Sequence, residues 1–557
     1  MGDYLKLKKS NCKNCHKCIR NCPVKSIRFT DAQAHIIPEE CVLCGRCFVS
    51  CPQNAKEIRD DTEVVKAQIA TGTPVIAALA PSFVANYKGV TIETMRQALM
   101  QLGFSDVVET AIGASMVKTR YEQMISNHTE DVLISSCCTA VNNLIRKYYP
   151  EALPYLAPVI TPMEAVCRMI KREQPKAKTV FIGPCIAKKQ EADESVAVDY
   201  ALTYFELSNW LKERGITVAS GGSTLEESRA RLFPLPGGIL RTMEPWSSTW
   251  SYIAVDGMEN CIRAIKDIID GGITNCFVEM SACAGGCVGG PAMEQARERP
   301  VSDTIAVSNY AGKRDFDVPQ PDASLMSQGY PRAAIRKVHV GENEILEVLR
   351  KMGKTKPEHE LNCGTCGYNT CREKALAVCL GKAEISMCLP YLMEKAQSFS
   401  DTIIQNSPNG ILVLNEQYEI QQINPAAGRI LRAQVAGDVI GMPVVTLMDP
   451  APFMETLQKG RAITERQLYL AEYDKYVVLS AEYSRNYHII IGILRDITTE
   501  VSAKRAKEAQ SAETAAVADQ VMARQMGVVQ QIASLLGETA AETKIALTKL
   551  KESISDE

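Results

Sequence analysis

No stretch of this 557-residue sequence approaches the ~18–20 consecutive apolar residues that a membrane-spanning helix requires. The best candidate, around Pro74 to Val84, is short and ends in Asn86-Tyr87-Lys88. The opening residues, Met1-Gly2-Asp3-Tyr4-Leu5-Lys6, hold neither the apolar core of a secretory signal nor a twin-arginine pair, so a cytoplasmic protein with no membrane partner is expected. An excess of charge of one sign is lacking too. The chain has 62 Lys and Arg against 65 Asp and Glu, a net charge of −3, which gives no reason to expect nucleic acid or an anionic membrane as partner. Cysteine is absent after Cys388, which marks a change of chemistry in the last third.

With 46% hydrophobic and 23% charged residues the chain can bury real cores, and its length suggests three to five domains. Its 21 cysteines are many for a cytoplasmic protein. Disulfides are disfavoured in that compartment, so clustered cysteines there point to metal or redox chemistry.

Cys12-x2-Cys15-x2-Cys18-x3-Cys22-Pro23 is followed by Cys41-x2-Cys44-x2-Cys47-x3-Cys51-Pro52. This is the bacterial two-cluster ferredoxin run, in which each fourth cysteine serves the other cluster. Cys12, Cys15, Cys18 and Cys51 are expected to hold one [4Fe–4S] cube, and Cys41, Cys44, Cys47 and Cys22 the second. Four thiolates also suit a structural zinc, but two copies of one CxxCxxCxxxCP unit favour iron–sulphur. Residues 1–58 therefore read as a ferredoxin-like domain that carries electrons to something downstream.

From 59 to 355, apolar strand-like runs alternate with amphipathic helices. Val75 to Leu79 and Thr179 to Ile182 read as buried strands, and Ile92 to Leu102 and Val141 to Tyr149 as helices, which is α/β architecture. Three cysteine-bearing turns stand out: Ser135-Ser136-Cys137-Cys138, Gly183-Pro184-Cys185 running on to Lys188 and Glu191, and Glu279-Met280-Ser281-Ala282-Cys283 running on to Cys287-Val288-Gly289-Gly290-Pro291. At least the first two follow apolar strands, where α/β proteins place ligand-binding loops.

These turns resemble the three signature segments of [FeFe]-hydrogenases, in order and in spacing, with Phe233-Pro234-Leu235-Pro236-Gly237-Gly238 between the second and third. The resemblance covers roughly residues 1–355. It implies that Cys138, Cys185, Cys283 and Cys287 bind the [4Fe–4S] part of an H-cluster, with Cys287 shared with a two-iron subsite bearing CO, cyanide and azadithiolate. It implies that Lys188 donates to a cyanide and that Cys137 is the free thiol that passes protons to the site. A lone thiol can do so beside a base, although it can also be a small buried hydrophobe. The sequence departs from the family at Gly183 and Ser281, where methionines are usual, so a roomier and more polar pocket is expected around Phe233. The family's outward relay of two Glu and a Ser aligns with Tyr121, Met124 and Ala157, with Glu122 one residue away. The chemistry is expected to be kept and the fast proton exit lost.

Cys363-x2-Cys366-Gly367-x3-Cys371, closed by Cys388, resembles a small [4Fe–4S] domain over 356–392. Cys379 lies between and reads as a helix residue. With Cys167, Cys261 and Cys276 it is assigned to the core. Residues 393–500 read as helix, strand (Gly410 to Leu414), turn, strand (Tyr418 to Ile423), then Asn424-Pro425-Ala426-Ala427 opening a helix, and end in Asp496-Ile497-Thr498. This resembles a PAS sensor domain. In 501–557, Val521, Val528 and Leu535 recur every seven residues with Ile532 between, followed by Leu547, Leu550 and Ile554, as in a long helix with a coiled-coil seam. Gly527 and Gly537 weaken that helix.

The expected architecture is multidomain α/β and α+β: ferredoxin-like domain, α/β H-cluster domain, small [4Fe–4S] domain, PAS domain and C-terminal helix. The resemblance, to the sensory PAS-containing branch of the [FeFe]-hydrogenases, implies four [4Fe–4S] clusters and the two-iron subsite. It implies reaction with H2 and protons, a redox partner such as ferredoxin, a kinase or phosphatase as signalling partner, and a homodimer. Two alternatives are a metabolic ferredoxin-dependent hydrogenase and a non-catalytic Narf-like iron–sulphur protein. Cys137 and Lys188 argue against the last.

Overall fold

The computed structural model of the protein describes residues 4–8, 11–127, 130–221, 227–244, 249–294, 300–333, 335, 338–433 and 436–554. The chain divides into two compact units, 1–392 and 393–557.

The duplicated cysteine motif folds as a duplicated backbone. Short helices Lys17–Asn21 and Arg46–Val49 each begin after a residue in the left-handed region, His16 at φ 55° and Gly45 at φ 71°. Asn14 and Leu43, then Lys25 and Asn54, repeat the same excursion at the same interval as Cys12 and Cys41. At a non-glycine residue that conformation costs on the order of 1 kcal/mol. It turns backbone amides toward sulphur: the Ser26 amide donates to Cys22 Sγ at 3.3 Å and its counterpart Ala55 to Cys51 Sγ at 3.4 Å. Glycine is required at 45 for a further reason, since a Cβ there would stand 2.4 Å from Pro291 Cβ. Strand Leu5–Leu7 closes the module by pairing antiparallel with Lys56–Ile58, beside the hairpin Ile27–Thr30 and Gln33–Ile36.

Two parallel sheets follow. One has the order Asp106–Glu109, Val75–Leu79, Lys178–Gly183, Tyr200–Thr203; the other has Ser251–Asp256, Cys276–Ser281, Val132–Ile134. All five residues of Val75–Leu79 are buried, as expected of a strand covered on both faces by helices. The α/β expectation holds, with helices Ile92–Gln101 and Thr139–Tyr148 where apolar periodicity placed them. The third cysteine turn also follows a strand, so all three leave the carboxyl ends of parallel strands.

The segment holding Cys363 to Cys388 does not stand alone. Helix Glu342–Lys351 packs on Cys371–Cys379 through Leu349, Met352 and Ala375. Cys366, Tyr368 and Met387 share one core with Cys18, Ile19 and Cys22 of the ferredoxin-like module. Cys167, Cys261 and Cys276 are core residues, whereas Cys379 is only half-buried at a helix end, contrary to expectation.

The second unit carries a five-stranded antiparallel sheet in the order Ile420–Ile423, Gly410–Asn415, Ile489–Asp496, Lys475–Ser484, Ile463–Leu470. Asn424 knots it together. Its Oδ1 accepts the Ile411 and Ala427 amides, and its Nδ2 donates to the Ile404 and Asn409 carbonyls. Asp496 accepts from Thr498 Oγ1 and pairs with Lys475 at 2.6 Å where the sheet hands over to the helix Thr498–Ile554. Val521, Val528 and Leu535 are exposed on that helix, which runs unbroken through Gly527 and Gly537; the Ile554 side chain lies outside the described residues. His488, the one histidine of the segment, is solvent-facing and pairs with Glu416 at 3.0 Å.

Candidate active site

Strand ends from both sheets converge on two cavities that share a wall. Cys138, Cys185, Cys283 and Cys287 line the first together with Cys44 of the ferredoxin-like module. Cys138, Cys185 and Cys287 also line the second, a largely apolar cavity of about 110 Å³ into which Cys137, Lys188 and Phe233 open. Burial, and after it the charge of the neighbouring thiols, raises the pKa of Cys185, Cys283 and Cys287, Cys283 feeling Cys185, Cys138, Cys287 and Cys44 in turn. Each would be relieved by binding a cation. Among the described residues no three His, Cys, Asp or Glu side chains converge on a point suited to a single metal ion. A cube, whose corners spread its four thiolates around a larger volume, fits this donor set. The ferredoxin-like cysteines group likewise: Cys47 feels Cys41, Cys22 and Cys44, while Cys18 feels Cys15 and Cys12.

Lys188 is buried, and burial alone would lower its pKa. The Glu191 carboxylate at 2.6 Å more than offsets this, so the ammonium form is held at the cavity wall. Glu191 also accepts from Thr139 and Thr161, which fixes it on helix Ala187–Glu194. It was quoted in the sequence only as part of a motif; its three-residue spacing from Lys188 on one helix face was the signal for its role.

Burial pushes the Cys137 thiol up to about 12, so it keeps its proton at neutral pH. Its sulphur lies 3.3 Å from Tyr121 Oη, which lies 2.9 Å from Ser136 Oγ; that hydroxyl donates to the Val159 carbonyl at 2.7 Å. Tyr330 Oη donates to the same carbonyl at 2.8 Å. The chain of hydroxyls therefore ends on a group with no proton to pass on. Met124 and Ala157 are buried beside Tyr121 in one apolar cluster, while Glu122 accepts the Glu244 amide at 2.8 Å and pairs with Lys118.

One expectation needs correction. Gly183 does not open the pocket: a Cβ there would stand 2.5 Å from Phe181 Cζ and 3.1 Å from Ala80 Cβ, so the Phe181 ring fills the space. The cavity is apolar, not more polar, and Ser281 lines the other cavity, beside Cys283.

Glu279 was not singled out. Burial raises its pKa to about 7, against amide donors from Leu240, Ile239, Gly237 and Gly238 that lower it. It thereby pins the turn that carries Phe233 to the strand that leads to Cys283.

Several known proteins are similar to this chain. The family described as "Iron only hydrogenase large subunit, C-terminal domain" matches residues 73–246 and 240–291. A 4Fe-4S dicluster domain matches 11–63, an Fe–S cluster family 360–390, and the PAS fold 398–497. The periplasmic [Fe] hydrogenase large subunit of Nitratidesulfovibrio vulgaris is 26% identical over 386 residues, 56% of this chain and 91% of that one. The cytosolic Fe-S cluster assembly factor NAR1 of Encephalitozoon cuniculi is 26% identical over 221 residues, 34% of this chain and 60% of that one. A solved [FeFe]-hydrogenase from Chlamydomonas reinhardtii aligns over 50% of this chain and all of its own, at 17% identity and a TM-score of 0.41.

Fold, cysteine sets and family matches define an iron–sulphur redox protein with an H-cluster-type domain. More particularly, the chain is a PAS-containing, hydrogenase-like protein.

Proposed function

We propose that this protein is an [FeFe]-hydrogenase that interconverts H2 with two protons and two electrons slowly, and that it serves as a hydrogen or redox sensor signalling through its PAS domain. The observation that carries this reading is the pair of cavities sharing Cys138, Cys185 and Cys287, with Cys137 and Lys188 on the second. In the proposal those three cysteines and Cys283 would hold a cube, and Cys287 would also serve a two-iron subsite with CO, cyanide and azadithiolate. When bound, that subsite supplies the metal centre at which H2 is cleaved heterolytically. Lys188, held by Glu191 at the cavity wall, would offer an ammonium to its anionic ligands. Cys137 would present a protonated thiol to it, and Phe181 and Phe233, which line the cavity, would keep water away. Two further cubes in the ferredoxin-like module and one on Cys363, Cys366, Cys371 and Cys388 bring the cube count to four. Cys44 beside Cys283 makes the module the electron port, open to a partner such as ferredoxin.

The slow rate follows from the hydroxyl chain that ends on the Val159 carbonyl. The sensing role follows from the PAS domain and the exposed seam of the helix beyond it, through which the chain is inferred to dimerise and to meet a kinase or phosphatase. The NAR1 relative favours a second reading, a non-catalytic iron–sulphur protein without the two-iron subsite. Hydrogen uptake by matured protein, measured with a chemical electron acceptor, separates the two. Turnover should be measurable, and Cys137→Ala should lower it by on the order of 100-fold or more while the iron content stays the same. No turnover by a protein with all cubes and a filled two-iron site would refute the reading.

A further inference from the structure

The contact between the ferredoxin-like module and the Cys363–Cys388 segment contains more than packing. Lys25, on the turn after Cys22, donates from Nζ to the carbonyls of Ile19 at 3.2 Å, Arg20 at 3.2 Å and Gly367 at 2.9 Å. Its ammonium is thus fixed between one residue group near Cys22 and another next to Cys366, and both thiols act on it. The Tyr368 ring lies 5.9 Å from the same Nζ. Tyr368 is 3% exposed, and its hydroxyl is buried without a hydrogen-bond partner. A buried hydroxyl left unpaired is costly, so its situation points to an acceptor other than protein. The thiols that act on it are Cys366 and Cys22. The approach is close: Gly367 has φ 94°, and a Cβ there would stand 3.0 Å from Ile19 Cγ2.

We propose that Lys25 and Tyr368 form a built bridge between the cube held through Cys22 and the cube held through Cys366, making the terminal cube an electron branch of the ferredoxin-like module. The step is a one-electron transfer: the cube on Cys22 goes from the reduced 1+ to the oxidised 2+ state, and the cube on Cys366 from 2+ to 1+, with no atom or proton moved. Lys25 and Tyr368 are positioning residues. A fixed positive charge and an O–H···S hydrogen bond both favour the reduced, more negative cube, so they hold both potentials within reach of each other. Redox state then reaches the segment that leads into the PAS unit from the electron port. The inference rests on the iron–sulphur reading alone and does not need hydrogen chemistry.

The test is a redox titration of the full chain, reconstituted with iron and sulphide and poised with a chemical reductant, followed by electron paramagnetic resonance. Tyr368→Phe and Lys25→Met should each keep the parent iron content and shift the midpoint potentials of two cubes downward, and Lys25→Arg should restore them. The potential of the cube on Cys138, Cys185, Cys283 and Cys287 should not move. Unchanged potentials, a shift of one cube only, or loss of iron in both variants would each overturn the bridge. Because the reductant is chemical, failure of the hydrogenase reading would leave this result untouched.

Discussion

The phenolic oxygen of Tyr121 lies 3.3 Å from the sulphur of Cys137 and accepts the Ser136 amide at 2.9 Å. It therefore holds the thiol in place and at the same time closes the path behind it. If Tyr121 positions and does not relay, Tyr121→Phe should change hydrogen turnover far less than the ~100-fold expected for Cys137→Ala. It should lower stability by about 1–3 kcal/mol, because the Ser136 amide is left unpaired in the core. Thermal denaturation and turnover, measured on the same preparation, check both. Equal loss of turnover in the two variants would make Tyr121 part of the proton route.

Phe181 and Gly183 are one steric unit. Gly183→Met alone should overpack the cavity and cost about 1–3 kcal/mol. Adding Phe181→Ala should recover much of that loss, since the ring occupies the space the methionine needs. A double-mutant cycle on the thermal midpoint measures the coupling, and additive losses would show that Phe181 is not the obstacle.

Glu279 gives a pH dependence of defined sign. Its pKa rises from 4.5 to about 7 in the fold. A raised pKa means the native state binds a proton that the unfolded chain releases. The contribution is full below about pH 4.5 and is lost as pH rises through 7, on the order of 3 kcal/mol in all. Glu279→Gln should lower the stability at acidic pH and flatten the decline between those values, as read from thermal midpoints across the range.

The helix Thr498–Ile554 leaves Val521, Val528 and Leu535 in water on one chain. A second copy would cover a seam with that seven-residue repeat. Light scattering at micromolar concentration should return a dimer mass, and Val528→Asp with Leu535→Asp a monomer. Removal of 393–557 should also give a monomer with hydrogen turnover nearly unchanged.

The cysteine spacing made the ferredoxin-like cubes legible because each needs three close thiolates and a fourth from elsewhere. The active-site set was legible only through three separated motifs, Cys138, Cys185 and Cys283 to Cys287, read together. The strands were legible from fully apolar runs such as Val75–Leu79, and the PAS entry from Asn424, whose four hydrogen bonds leave little freedom at that position. Two things were hidden. Gly183 read as empty space because the residue that fills it, Phe181, lies two positions back on the same strand and turns its ring over the glycine, which the sequence does not reveal. The union of the ferredoxin-like module with Cys366 was hidden because it depends on Lys25 and Gly367, hundreds of residues apart, meeting through backbone carbonyls that carry no sequence signal.

What occupies the cavity between Cys137, Lys188 and Cys287 decides between hydrogen chemistry and electron transfer alone. Infrared spectroscopy of the protein after maturation with the two-iron precursor measures this. Bands from metal-bound CO and cyanide are expected, and their positions should shift in Lys188→Met, where the donor to cyanide is gone. A matured sample with its full complement of cubes and no such bands would mean that the protein holds no two-iron subsite and is not a hydrogenase.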